Sequence, residues 1–82
     1  MNLKFKTNKA DWKKYSRTEI VLHFSAFQDF MLQFEEHMTF SEAEKYWNKY
    51  EQLSDYILKT YGINAEEEVR NNLCKYIMEY SA

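Results

Sequence analysis

Apolar side chains recur every three or four residues along most of this chain, which is the spacing of helices with one buried face. The clearest series has successive steps of four, three, four, three and four residues. Its members are Ile20, Phe24, Phe27, Met31, Phe34 and Met38. Ser16 and Glu19 form a Ser-x-x-Glu capping box directly before this series. The pattern predicts a helix over residues 17–38.

Two further helices follow. Thr39 and Ser41 each have a glutamate three residues later, and either can begin a helix that stops at Gly62, the only glycine. The apolar face of this helix contains Ala43, Tyr46, Trp47, Tyr50, Leu53, Ile57 and Tyr61. A similar series continues beyond the glycine. We therefore predict helices over about 40–61 and 64–80.

These elements predict an all-α fold, a small three-helix bundle with a short extended N-terminal arm. The chain is short enough to form a single helical domain over residues 1–82, with residues 1–16 as a basic arm. Within this arm, residues 1–6 are predicted to be extended, and residues 7–16 form either a short helical turn or an ordered arm. One alternative stays open, because residues 18–24 are rich in strand-forming side chains and residues 2–6 alternate between apolar and polar types. Together they could form a two-stranded hairpin packed on three helices, which would be an α+β fold.

Aromatic residues are unusually frequent. The 82 residues include six Phe, seven Tyr and two Trp, with one Gly and no Pro. The core of a three-helix domain needs fewer large rings than this, so we expect one to three of them to be exposed and to anchor a partner. Tyr56 and Phe30 lie off the main apolar faces, and acidic side chains accompany the rings of the second helix. The predicted partner-binding residues are Trp47, Tyr56, Phe30, Glu51 and Asp55.

Charge is divided unevenly along the chain. Residues 1–20 carry a net charge of +4 and residues 21–82 carry −6, which gives −2 in total. The acidic helices favour a basic partner, which they would attract by long-range electrostatics. The basic N-terminal residues alternate with rings, as in proteins that hold phosphates and stack bases, so nucleic-acid binding is the alternative. Its candidate residues are Lys9, Trp12, Lys13, Lys14 and Arg17.

Few residues favour catalysis. His23 and His37 are fourteen positions apart and lack a third ligand at the usual spacing of a metal site. A chain with one glycine cannot build a Gly-rich phosphate loop. Cys74, with no histidine nearby in the sequence, is expected to be a partly buried, unreactive thiol. We therefore expect a non-enzymatic protein without a metal or cofactor.

The single cysteine excludes an internal disulfide and fits a reducing compartment. The most apolar stretch, residues 20–34, contains several polar side chains, so we expect a cytoplasmic protein without a membrane partner. The predicted function is a protein-binding module. It would be a small inhibitor or regulatory protein that acts on a macromolecular partner such as a nuclease or a nucleic-acid-binding complex. A nucleic-acid-binding accessory protein and a structural homodimer are the alternatives.

Overall fold

The computed structural model describes residues 5–81. It contains a one-turn helix, α1 (Lys9–Trp12), and three long helices, α2 (Arg17–Phe34), α3 (Phe40–Tyr61) and α4 (Ala65–Ser81). No strand occurs within these residues. The all-α prediction is therefore confirmed.

The capping box before α2 forms as the sequence predicts. Ser16 Oγ accepts a hydrogen bond from the backbone N–H of Glu19 at 3.1 Å, and Glu19 Oε1 accepts one from the backbone N–H of Ser16 at 3.2 Å. Residues 18–24 are consequently helical, and the hairpin alternative is wrong for them. Residues 2–4 of the other proposed strand lie outside the described residues. Ile20 and Val21, the β-branched aliphatic side chains of this stretch, are fully buried on α2, so burial in the core outweighs their preference for strands.

The first long helix ends earlier than predicted. After Phe34 the chain makes a 3₁₀ turn over Glu35–His37, and Met38 is extended, with φ −96° and ψ 153°. The reason is the next helix, because Thr39 must itself be extended for its Oγ1 to accept a hydrogen bond from Glu42 N at 3.2 Å. Met38 continues the apolar series in sequence and remains packed against the core from outside the helix.

A short turn joins α3 to α4. Gly62 is left-handed, with φ 69°, and its N–H donates to the carbonyl oxygen of Leu58 at 2.8 Å. Asn64 then caps α4, because its Oδ1 accepts from Glu67 N at 3.1 Å. The helix is kinked at Asn72, where φ is −132° and ψ is 17°. These signals fix the direction in which α4 returns along the bundle.

The core lies among the three long helices, and α4 packs more extensively on α2 than on α3. Its fully buried side chains are Ile20, Val21, Phe24, Phe27, Met31, Leu53 and Ile57. The N-terminal segment also contributes, because residues 9–12 of the predicted basic arm form the one-turn helix α1 and bury Trp12. Within residues 5–81, no helix is long and apolar enough to cross a lipid bilayer.

Candidate functional site

One exposed side of α3 combines apolar and acidic side chains. We call it the acidic face of α3, and it consists of Phe40, Glu44, Trp47, Glu51 and Leu58. These positions are three, four or seven residues apart, so at about 100° per residue they lie along one side of the helix. That side is roughly a quarter of a turn from the stripe that faces the core.

Phe40 is the most exposed large apolar side chain of this face. It is 84% exposed, although it is the first residue of α3 and lies between Thr39 and Glu42, which form a complete capping box. Leu58, near the other end of the helix, is 51% exposed. Since the cap holds the first turn in place, Phe40 is displayed from a rigid element and not from a loop.

Trp47 lies between these two residues and is half-buried. Its Nε1 donates to Glu35 Oε1 at 2.8 Å, and its ring meets the ring of Tyr50 edge-on, with 5.1 Å between centroids. The indole is therefore held in one position at the border between the core and the acidic face. Of the predicted partner-binding residues, Trp47 and Glu51 belong to this face.

The structure places the other three predicted partner-binding residues elsewhere. Phe30 is half-buried on α2, and its ring lies 5.3 Å from the rings of Phe5, Phe34 and Tyr46. Tyr56 and Asp55 line a groove between α1 and α3. Phe30 thus belongs to the border of the core, and the groove is a second site.

The five residues proposed for nucleic-acid contact are also divided. Lys9, Trp12 and Lys13 line the same groove, but Trp12 is only 3% exposed and offers no open ring face to a base. Lys14 pairs with Asp11 at 3.6 Å outside the groove. Arg17 begins α2 and lies within hydrogen-bonding reach of Tyr76 on α4. The predicted basic arm therefore does not form one continuous binding surface.

Two tyrosine hydroxyls donate hydrogen bonds to glutamates of α4. Tyr50 Oη donates to Glu66 Oε1 at 3.3 Å, and Tyr76 Oη donates to Glu68 Oε2 at 2.8 Å. Burial, followed by the charge of Glu66, raises the pKa of Tyr50 to about 12. Burial and the hydrogen bond to Glu68 likewise raise the pKa of Tyr76. Both hydroxyls stay protonated near neutral pH and act as donors, not as bases. The bond of Tyr50 joins α3 to α4, whereas the bond of Tyr76 lies within α4.

His23 on α2 has an aromatic environment. Its ring stacks against Phe5 and Tyr15, with 5.1 Å between centroids in each case. Burial lowers its pKa, and the hydrogen bond to the backbone of Lys6 and the charge of Asp11 oppose this effect.

Cys74 is exposed, contrary to the expectation of a partly buried thiol. Among the described residues, no three His, Cys, Asp or Glu side chains are grouped so as to hold a metal ion.

Sequence reasoning missed most of the exposed apolar side chains. All fifteen rings lie within residues 5–81, and only Phe40 and Tyr80 are largely exposed. Leu32 on α2 and Met78 on α4 are exposed aliphatic side chains. The helical positions of Phe40 and Leu32 could have identified them, because each lies about 100° from the centre of its core stripe.

In comparisons with known proteins, no family model, curated protein or solved structure matches this chain.

Proposed function

We propose that the protein is a non-enzymatic protein-binding module that uses the acidic face of α3. It would be a small inhibitor or regulatory protein whose partner has a basic surface, such as a nuclease or a nucleic-acid-binding complex. The observation that carries this proposal is the exposure of Phe40 beside the acidic side chains of the same face.

The apolar part of the face can supply binding energy. Phe40 and Leu58 are exposed at opposite ends of α3, and the indole of Trp47 lies between them. A few aromatic side chains carry most of the binding energy at many interfaces, because they bury a large area with little loss of conformational entropy. Since Trp47 is already held by Glu35, binding would cost little additional ordering of its side chain.

The acidic side chains specify the charge of the partner. Glu44 and Glu51 are both exposed on this face, and neither forms an ion pair within the described residues. They would attract Lys or Arg side chains that surround an apolar pocket, which accelerates association and makes it sensitive to salt. A twofold homodimer through the same face would bring the two glutamates of each copy together, which is unfavourable. Charge complementarity therefore favours a different, basic protein.

The test is affinity capture from an extract of the native cell, in which wild type is compared with Phe40→Ser and with the double variant Glu44→Lys and Glu51→Lys. We expect a captured protein with a basic surface that both variants lose, and that raised salt releases from wild type. Met78→Ser is the matched control, because it removes another largely exposed apolar side chain, on α4.

A band that all variants capture equally would contradict the proposed face. Circular dichroism should show the same helix content in each variant, because all the substituted side chains are exposed. Sedimentation of the purified protein tests the homodimer alternative separately. A dimer that Phe40→Ser dissociates would replace the proposal by self-association.

A further inference from the structure

A groove between α1 and α3 lies on the other exposed side of α3. Its volume is about 610 Å³, which is within the range of roughly 300–1,000 Å³ found for small-molecule sites. The side chains that matter here are Lys9, Trp12, Lys13, Asp55, Tyr56 and Lys59. Two separate elements thus bring cationic and aromatic groups together, although no sequence motif joins them.

The groove is positively charged on a protein that is acidic overall. Lys9, Lys13 and Lys59 contribute three positive charges, and Asp55 is the one acidic residue in the lining. Asp55 Oδ2 is already paired with Lys59 Nζ at 2.9 Å. Within residues 5–81, neither Lys9 nor Lys13 forms an ion pair. Two ammonium groups are therefore available to an anion, and a third can join them.

The wall of the groove is aromatic. The rings of Trp12 and Tyr56 pack with 5.5 Å between centroids and a tilt of 45°. Trp12 forms a buried support, and Tyr56, which is half-buried, is the ring that a ligand can reach. Trp12 Nε1 is buried and lacks an acceptor within the described residues. Such unsatisfied donors are rare in folded proteins, which makes this wall unusual.

We propose that this groove binds a nucleotide, with the phosphate among the three lysines and the base against Tyr56. Ammonium groups bind phosphate oxygens, and an aromatic side chain accepts any base by stacking. The lysines converge on one groove, whereas Lys14 and Arg17 lie outside it. This arrangement suits one phosphate group better than the long backbone of a nucleic-acid strand. The site is independent of the acidic face of α3.

Trp12 can report binding directly. In the variant Trp47→Phe it is the only tryptophan, so a change in its fluorescence comes from the groove wall. The probes are adenosine monophosphate, uridine monophosphate, adenosine, inorganic phosphate, and one oligonucleotide with and without a 5′-phosphate. We expect both monophosphates to give saturable changes, with at least about tenfold weaker binding of adenosine and of inorganic phosphate.

Four substitutions test the assignment. Lys13→Glu should weaken binding of the monophosphates by about tenfold or more, while Lys14→Glu, the same change at the next residue, should leave it within about twofold. Asp55→Asn frees Lys59 and should strengthen binding by about two- to fivefold, whereas Glu51→Gln, one helical turn away, should not. The gain in affinity matters most, because a misfolded variant cannot produce it.

The oligonucleotides distinguish a free nucleotide from the end of a strand. If the oligonucleotide with a 5′-phosphate binds more tightly than the monophosphates, the oligonucleotide without it does not bind, and Lys13→Glu weakens the binding, the nucleotide in the groove is the 5′ end of a strand. The proposal is overturned if no monophosphate gives a saturable change, or if inorganic phosphate binds as tightly as the nucleotides. Equal weakening by Lys13→Glu and Lys14→Glu would also overturn it, in favour of diffuse attraction by the basic segment.

Discussion

Helices α2 and α4 have nearly the same length, eighteen and seventeen residues, but very different surroundings. Six residues of α2 are buried, compared with two of α4, Ala65 and Tyr76. The reason is position, because α2 packs extensively on both α3 and α4 and the N-terminal segment covers a further side, whereas α4 packs on α3 only to a small extent. α4 lies at the edge of the bundle. Similar apolar spacing can therefore belong to a central helix or to a peripheral one.

The largest expected difference concerns the core side chains. Phe24→Ala on α2 removes a fully buried ring and should lower the free energy of unfolding by about 3–5 kcal/mol. Ile77→Ala on α4 is the counterpart, and it should cost about 1 kcal/mol or less because Ile77 is half-exposed. Urea unfolding monitored by circular dichroism measures both. Equal losses would mean that α4 is as central as α2. If Phe24→Ala does not fold, the milder variant Phe24→Leu replaces it in the comparison.

The turn before α4 should be the next most sensitive place. Gly62→Ala should cost about 1 kcal/mol, because alanine is strained at a φ of 69°. No heavy atom beyond the neighbouring residues lies within 4 Å of the position that a Cβ would occupy, so the loss comes from the backbone alone. Gly62→Asn should cost less, since asparagine tolerates this conformation better. Thermal unfolding of the two variants provides the measurement, and equal destabilisation would contradict the explanation.

Acid should weaken the attachment of the N-terminal segment to α2. Burial holds the pKa of His23 below its usual value of 6.5, so the unfolded chain binds a proton more readily than the folded protein. The free energy of unfolding should therefore fall as the pH decreases below about 6.5. His23→Gln should remove this dependence, and His37→Gln should leave it unchanged because His37 is exposed. Urea unfolding between pH 5 and 8 tests the prediction (about the range in which histidine titrates).

The smallest effect is expected at the exposed end of α4. Met78 is 71% exposed, and Met78→Ser should change the free energy of unfolding by less than about 0.5 kcal/mol. A loss well above that value in urea unfolding would show that the side chain is packed in solution.

The elements of this fold were accessible from the sequence where a local interaction determines them. Ser16, Thr39 and Gly62 mark helix ends through bonds to residues three or four positions away, and the structure contains these bonds. The pattern failed at Met38, where an apolar residue at helical spacing follows a 3₁₀ turn. Periodicity shows which side chains share an apolar face, but it does not show at which residue the helix ends.

The candidate sites were less accessible, because they depend on which helices become neighbours. Lys13 and Lys59 line the same groove, and nothing in their 46-residue separation indicates that they lie on one groove. The position of Tyr56 off the main stripe predicts an exposed ring, but the ring packs against Trp12 and is half-buried. Phe40 differs, because its helical position, about 100° from the core stripe of α3, already indicates exposure.

The kink at Asn72 divides α4 into two short helical segments. Glu68 joins them, because its Oε2 accepts a hydrogen bond from Asn72 Nδ2 at 3.3 Å and another from Tyr76 Oη at 2.8 Å. Two straight helices diverge on either side of their crossing point, whereas a bent one can follow its neighbour for longer. The segment of α4 after Asn72 thereby stays beside the start of α2, where Thr18 Oγ1 donates to Glu79 Oε2 at 2.9 Å.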